Sequence, residues 1–162
     1  MDQLGAVTGG KATQGGAIYN AGTFIIESGR LSGNKAVKGG GIYNGAGARG
    51  VIRCQGVIRS NEATEHGGGV WNQGVLEMED YIQVKNNLGD NVYLTDGHTI
   101  NVTGAITSGE NSIGIEMEKR GQVTSGYSAS GTVVNPFFAC ASSVNKVVAA
   151  NGECWWCYGY IE

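Results

Sequence analysis

A six-residue phrase recurs along this chain, and its recurrence limits the fold more than any other feature. Gly15-Gly16-Ala17-Ile18-Tyr19-Asn20 returns as Gly39-Gly40-Gly41-Ile42-Tyr43-Asn44 and as Gly67-Gly68-Gly69-Val70-Trp71-Asn72, with a degenerate copy at Gly89-Asp90-Asn91-Val92-Tyr93-Leu94. The steps from Ile18 to Ile42, Val70 and Val92 are 24, 28 and 22 residues. A second landmark keeps phase with the first: Gly22-Thr23-Phe24-Ile25-Ile26-Glu27, Gly50-Val51-Ile52-Arg53-Cys54-Gln55, Gly74-Val75-Leu76-Glu77-Met78-Glu79 and Gly97-His98-Thr99-Ile100-Asn101-Val102-Thr103. Each leads to a further apolar point, at Leu31, Ile58, Ile82 and Ile106, and Asn34, Asn61 and Asn86 follow in the first three copies.

Within each copy apolar and polar residues alternate, which is the period of a strand, and no stretch carries a 3.6-residue stripe. Short strands in a repeat of this size bury all their apolar faces by winding into a coil whose equivalent strands pair in parallel, about 4.8 Å apart. The expected fold is therefore all-β, a right-handed single-stranded parallel β-helix of about four to five coils. Residues 1–120 form the repeat domain in this reading, and residues 121–162 a C-terminal capping tail with short strands. Reading alternation outward from the glycine puts Phe24, Ile52, Leu76 and Ile100 in one core column. Ile26, Cys54, Met78 and Val102 form a second, which makes Cys54 a buried free thiol.

Glycine makes up 29 of the 162 residues but does not recur every third position, and proline occurs once, so collagen and Pro/Gly-rich disorder are excluded. The net charge is −3 with scattered basic residues, which predicts neither nucleic acid nor an anionic membrane as partner. Residues 1–20 contain no apolar core of an export signal, and no run is long enough for membrane insertion.

The Gly-Gly-Ala/Gly-Ile motifs at 15–18, 39–42 and 67–70, with Asn at 34, 61 and 86, resemble the repeats of the chlamydial polymorphic outer-membrane proteins. They are similar also to Gly-Gly-Gly-Ile-Tyr-Asn repeats of large bacterial surface proteins. Asn91 to Ile106 and Ser112-Ile113-Gly114-Ile115 resemble the terminal rungs of such proteins. The resemblance covers about residues 5 to 120 and implies a pectin-lyase-like β-helix serving in adhesion or as a stalk. It implies an extracellular or cell-surface location too, with the export signal outside this chain. The Cys- and Trp-rich tail departs from that pattern, as does the lack of a Phe three residues before each Asn.

Tyr19, Tyr43, Trp71 and Tyr93 each follow a core-facing aliphatic residue and are expected to form an outward row over a flat floor of Ala17, Gly41 and Gly69. Such a row either stabilises the sheet face or stacks against a sugar. Asn20, Asn44 and Asn72 are expected to form a structural amide ladder. Glu27 and Glu79 share a surface column with Glu77 nearby, but the four aspartates (Asp2, Asp80, Asp90, Asp96) do not, and Arg53 beside Glu77 reads as a cross-strand ion pair. His66 and His98 are isolated surface residues in this reading. No metal site or cofactor is expected.

In the tail, Cys154-Trp155-Trp156-Cys157 lacks the strand–helix context of a redox motif, and a disulfide from Cys140 to Cys154 or Cys157 is one option. The function expected is a non-enzymatic structural or adhesive segment, associating as a homo-oligomer or filament through exposed solenoid ends. A carbohydrate-binding module taking a glycan on the aromatic row is the alternative, and a polysaccharide lyase or hydrolase a further one.

Overall fold

Strand-period alternation between glycine turns produces strands that stack from coil to coil. This computed structural model describes residues 5–107, 113–127, 138–140, 145–150 and 153–158, and among them every regular element is a strand. In chain order these are β1 (Ala6–Thr8), β2 (Ile18–Asn20), β3 (Thr23–Ser32), β4 (Lys35–Lys38), β5 (Ile42–Asn44), β6 (Arg49–Arg59), β7 (Glu62–His66), β8 (Val70–Asn72) and β9 (Val75–Asp80). There follow β10 (Gln83–Val84), β11 (Val92–Leu94), β12 (Ile100–Ile106), β13 (Ile113–Met117), β14 (Thr124–Ser125), β15 (Phe138–Cys140), β16 (Asn145–Ala150) and β17 (Glu153–Tyr158).

Strands β2, β5, β8, β11 and β13 pair in parallel on one face. On a second face β3, β6, β9, β12 and β14 do the same, and β4 pairs with β7 on a third. The result is a parallel β-solenoid of about four turns. Its short-strand face keeps strict register: Ile18, Ile42, Val70, Val92 and Ile115 form one continuous column. From Ile42 onward these side chains are fully buried. The turn that launches each short strand needs a left-handed residue. At Gly39, φ is 65° and a Cβ would stand 2.3 Å from the Ile42 carbonyl oxygen, so only glycine fits.

The long-strand face departs from simple alternation. Ile26 pairs with Ile52 but Ser28 with Gln55, so β6 inserts one extra residue at Arg53-Cys54 opposite Glu27. Ahead of that bulge the core columns are Phe24–Gly50–Leu76–Ile100 and Ile26–Ile52–Met78–Val102, two residues displaced in the second coil from the sequence expectation, because Thr23 pairs with Arg49 and not with Val51. Gly50 leaves room for the Phe24 ring, whose edge would lie 2.5 Å from a Cβ there. Cys54 falls in the bulge at φ 60° and is exposed, not buried in the core. The next apolar column also shifts: Val84, not Ile82, pairs with Ile58 and with Ile113, although Ile82 is fully buried beside it.

The two ends differ. At the amino end, β1 lies over Arg30–Ser32, Lys11 over Lys35 and Gln14 over Lys38. β2 and the first half of β3 have a coil on one side alone among the described residues. At the carboxyl end, β15 adds to β13 and the antiparallel β16–β17 hairpin lies against β14.

Candidate functional site

Outward from the short-strand face stand the four rings expected there, and register brings them face to face. Ring centroids lie 5.5 Å apart for Tyr19–Tyr43, 6.3 Å for Tyr43–Trp71 and 4.7 Å for Trp71–Tyr93, with interplanar angles of 5°, 10° and 28°. Offset stacking of this kind consumes the ring faces inside the protein. Tyr43, Trp71 and Tyr93 keep 9%, 7% and 7% of their surface, whereas Tyr19, at the end of the row, keeps 59%.

The floor expected beside the rings is absent, because a Cβ on Gly69 would point inward against Asn87 and Val84, and one on Gly41 against Ile58 and Asn61. Polar side chains of the neighbouring face cover the row instead. The Lys38 ammonium sits 4.6 Å from the Trp71 ring centre. His66 stacks on Tyr93 at 4.3 Å, and its Nδ1 meets an Asp90 carboxylate oxygen at 2.6 Å. The Tyr43 hydroxyl donates to Gln73 Oε1 at 2.6 Å. The Trp71 indole N–H is buried without a hydrogen-bond partner. Burial and the carboxylates of Glu118, Asp90 and Glu116 push the Tyr93 hydroxyl above its ordinary pKa. In the next coil Glu116 takes the slot of the aromatic, pairing with Tyr93, and burial followed by the Asp90 charge raises its carboxyl above the usual range.

The role of Lys38 and His66 is absent from the sequence reading, yet a signal was present. Gln14, Lys38 and His66 each stand immediately before the glycine pair, at one repeat position that the register brings into line.

Beneath the rings, at the inner corner, the asparagines form their ladder. Asn20 Nδ2 donates to Asn44 Oδ1 at 2.7 Å, and Asn44 Nδ2 to Asn72 Oδ1 at 2.7 Å. Each amide also bonds the main chain: Asn44 Nδ2 donates to the Val75 carbonyl and Asn72 Oδ1 accepts from the Gly74 N–H. A second ladder runs Asn34, Asn61, Asn87 and Asn91. Its third member is Asn87 and not Asn86, which instead takes the left-handed turn position at φ 58°.

The long-strand face carries charge in paired form. Arg49, not Arg53, forms the two-pronged contact with Glu77, at 2.8 and 2.6 Å. Arg53 bonds Glu27 and lies 3.8 Å from Glu79. Hydrogen bonding to Glu77 and to Glu27 raises the pKa of the Arg49 and Arg53 guanidinium groups above their ordinary value. A hydrolase would need two carboxylates, and the three candidates, Glu27, Glu77 and Glu79, each lie against an arginine. Among the described residues no group of three or more His, Cys, Asp or Glu is placed to hold a metal ion. His98 bonds Thr95 and the Asp96 carbonyl within its own turn.

In the tail, Cys154 is a free, fully buried thiol, so the bridge to it is not formed. Burial, opposed by hydrogen bonds to Thr124 and Tyr127, leaves its pKa pushed up to about 12. The side chains of Cys140 and Cys157 lie outside the described residues. Glu153 is a residue the sequence reading missed. Its carboxylate accepts from the Gly126 and Tyr127 N–H groups at 2.8 and 3.1 Å and from the Thr124 hydroxyl at 2.8 Å. That fastens the hairpin onto the last coil.

Six large apolar side chains are exposed among the described residues: Val75, Tyr81 and Leu88 on later coils, and three at the amino end. Val7, Tyr19 and Ile25 are exposed there at 46%, 59% and 53%. A cavity of about 480 Å³ is lined by Val7 and Ile25 and by Ile18, Ile26 and Leu31. Compared with family models, with curated proteins and with solved structures, the chain matches none.

Proposed function

We propose that this chain is a structural or adhesive segment of a surface-exposed bacterial protein, a right-handed, pectin-lyase-like β-solenoid akin to the chlamydial repeats. In this reading it has no chemistry of its own and associates through its amino end. One observation carries it: the rings and the carboxylates of the lateral faces are engaged in contacts within the chain, and Val7, Tyr19 and Ile25 are exposed on the first coil. Rings stacked face to face offer a sugar little besides their edges. Glu77 and Glu27 are engaged by arginines, Arg49 and Arg53, and Glu79 lies 3.8 Å from Arg53, so the geometry favours structural ion pairs over a pair of carboxylates facing a glycosidic bond. Among the described residues the outer edge of β2 and of the first half of β3 carries no strand, and such an edge beside exposed Val7, Tyr19 and Ile25 can take another strand, from this polypeptide or from a second one.

The test has two arms. A glycan array and incubation with uronic-acid polymers should both give nothing, and light scattering should show mass rising with concentration. Glycan binding lost on Tyr43→Ala with Trp71→Ala would turn the reading to a carbohydrate-binding module. Polymer cleavage lost on Glu77→Gln or Glu79→Gln would turn it to an enzyme.

A further inference from the structure

We infer that one side of the solenoid is a docking surface for an acidic polypeptide segment, with Arg30, Arg59 and Lys85 as its charges and Tyr81 as its anchor. Past the bulge, β6 leaves β9 and lies between the second half of β3 and β10. Alternation there sends Leu31, Ile58 and Val84 into the core and leaves their neighbours outside. Register sets Arg30 beside Val57 and Val57 beside Gln83 in one outward column, and Ser32 beside Arg59 in the next. The same pairing, continued by the Lys85 N–H to the Ile58 carbonyl at 3.3 Å, puts Lys85 next to Arg59. The surface is lateral, so a further coil stacked on the solenoid would extend it and not cover it.

What sets this surface apart is charge left unanswered. Lys35, Lys38, Arg49, Arg53 and Lys119 each meet a carboxylate. Among the described residues Arg30, Arg59 and Lys85 meet none, and neither does Lys11, which lies off this surface over Lys35. Two carboxylates stand at the rim on the bulge side: Glu27, held by Arg53, and Asp80, exposed at φ 63°. Arg59 and Lys85 lie in the column farthest from them, and beyond that column Glu62 is held by Lys35. Tyr81 differs from the four stacked rings in the same sense. It is 42% exposed, its hydroxyl accepts from the Gln83 amide at 2.7 Å, and among the described residues no ring stacks on it.

The chemistry selects the partner. Three cations on a chain of net charge −3 are too few for a nucleic acid or an anionic membrane, whose attraction comes from many charges acting at once. An exposed tyrosine, two arginines and an aliphatic residue between them are the composition enriched where proteins meet, with charge paired across the boundary. A guanidinium grips a carboxylate with two prongs, as Arg49 already does with Glu77 inside the chain. Spacing agrees: Arg59 and Lys85 are about 4.8 Å apart at the backbone, and Arg30 stands one column, about 6.6 Å, back along the strands. Carboxylates two residues apart on an extended segment are about 6.6 Å apart as well. The occupant is therefore a segment with carboxylates at alternate positions, followed by an apolar or aromatic side chain that covers Tyr81.

Fluorescence anisotropy of a labelled glutamate–tyrosine copolymer, titrated with the intact chain, tests this. A dissociation constant of about 10–100 μM is expected at low salt. It should weaken as salt rises, since exposed charges are screened beyond about 10 Å at 0.1 M. Arg59→Glu should weaken binding at least about tenfold. The same variant should keep the wild-type circular dichroism and urea midpoint, because Arg59 gives up no ion pair within the chain. Lys11→Glu makes the same change of net charge off the surface and should weaken binding less than about threefold. Tyr81→Ala should weaken it about fivefold. No binding at low salt, or binding indifferent to Arg59→Glu, or binding as sensitive to Lys11→Glu as to Arg59→Glu, would overturn the surface. Heparin or single-stranded DNA bound more tightly than the copolymer, with the same dependence on Arg59, would overturn the polypeptide as its partner. Self-association through the amino end is read separately, by light scattering of the chain alone, and stands or falls without these outcomes.

Discussion

The short-strand and long-strand faces are built from the same coils, yet one keeps register through five strands and the other slips by a residue in the second coil. On the short-strand face three devices act together over β2, β5 and β8: a left-handed glycine starts the strand, an asparagine bonds the next asparagine, and a ring stacks on the next ring. At β11 the glycine and the ring remain, and Leu94 replaces the asparagine. Each device fails if its strand slides by one residue, because sliding exchanges inner and outer side chains. The long-strand face has aliphatic packing inside and ion pairs outside. Isoleucine, leucine and methionine pack in several registers at similar cost, and long ionic side chains reach across a one-residue offset. Specificity in this solenoid therefore resides in the polar and glycine positions of one corner, and the aliphatic core supplies burial without choosing register.

The sharpest way to break this comparison is to disable a turn on the strict face. Gly39→Ala forces a β-carbon into the left-handed region and onto the Ile42 carbonyl oxygen, which would be 2.3 Å away. A backbone oxygen cannot rotate aside as a side chain can. The expected loss is about 3 kcal/mol or more, read from urea denaturation. A loss well under 1 kcal/mol would mean the corner is pliable and the register is set elsewhere.

Next in size is the ladder. Asn44→Ala removes the acceptor of Asn20, the donor to Asn72 and the donor to the Val75 carbonyl, all at a buried site. Buried polar groups left without partners cost far more than a hydrogen bond yields on balance, so a loss of about 2–3 kcal/mol is expected. Asn44→Asp keeps the shape, loses the donors and sets a carboxylate against the Asn72 oxygen, and should be at least as damaging. A neutral result for both would reduce the ladder to a consequence of the register and not a cause.

What the sequence made legible follows the same division. The aliphatic column through Ile18, Ile42, Val70 and Val92, the ring row and the first ladder were readable because every device of the strict corner leaves a letter at a fixed position. Cys54 was misplaced because a bulge leaves no letter: Gly50-Val51-Ile52 alternates as well from either starting point, and nothing in the chain says that Phe24 stacks over a glycine. Arg53 was assigned to Glu77 because Gly50 was aligned with Gly22 and Gly74, when Ala48 precedes the residue paired with Val75 and Val51 stands opposite Glu77, leaving Arg49 to reach the carboxylate. Asn86 and Asn87 are adjacent, and choosing between them requires knowing which one turns left-handed. Glu153 was invisible since it acts through three contacts some 26 to 29 residues away, outside any repeat.

The slack face yields a smaller effect of opposite sign. Cys54 holds φ at 60° in the bulge, a conformation that disfavours a β-carbon by about 1–2 kcal/mol, and it is exposed. Cys54→Gly relieves that strain and gives back part of the gain as unfolded-chain entropy, so a stabilisation of about 0.5–1 kcal/mol is expected from the denaturation midpoint. If Cys54 were in the core, as plain alternation requires, the same change would open a cavity and destabilise. The sign alone therefore distinguishes the two registers.

The smallest expected effect lies where the strict face ends its ring row. Glu116 occupies the slot after Tyr93, and burial, reinforced by the Asp90 charge, raises its pKa in the folded state, while His66 and the Met117 N–H act in the opposite direction. Between the unfolded and the raised folded pKa the folded chain holds a proton that the unfolded chain has released. Stability from this group therefore falls as pH rises through that window, and stays lower above it. Glu116→Gln removes the ionisation while keeping the shape. It should match the wild type in acid, below the ordinary carboxylate range, and exceed it in stability at neutral pH, as read by denaturation midpoints at the two values. A variant less stable at neutral pH would show that the Glu116 carboxylate is held by the nearby His66 in an ion pair, making the end of the row a charged anchor and not a defect in the stack.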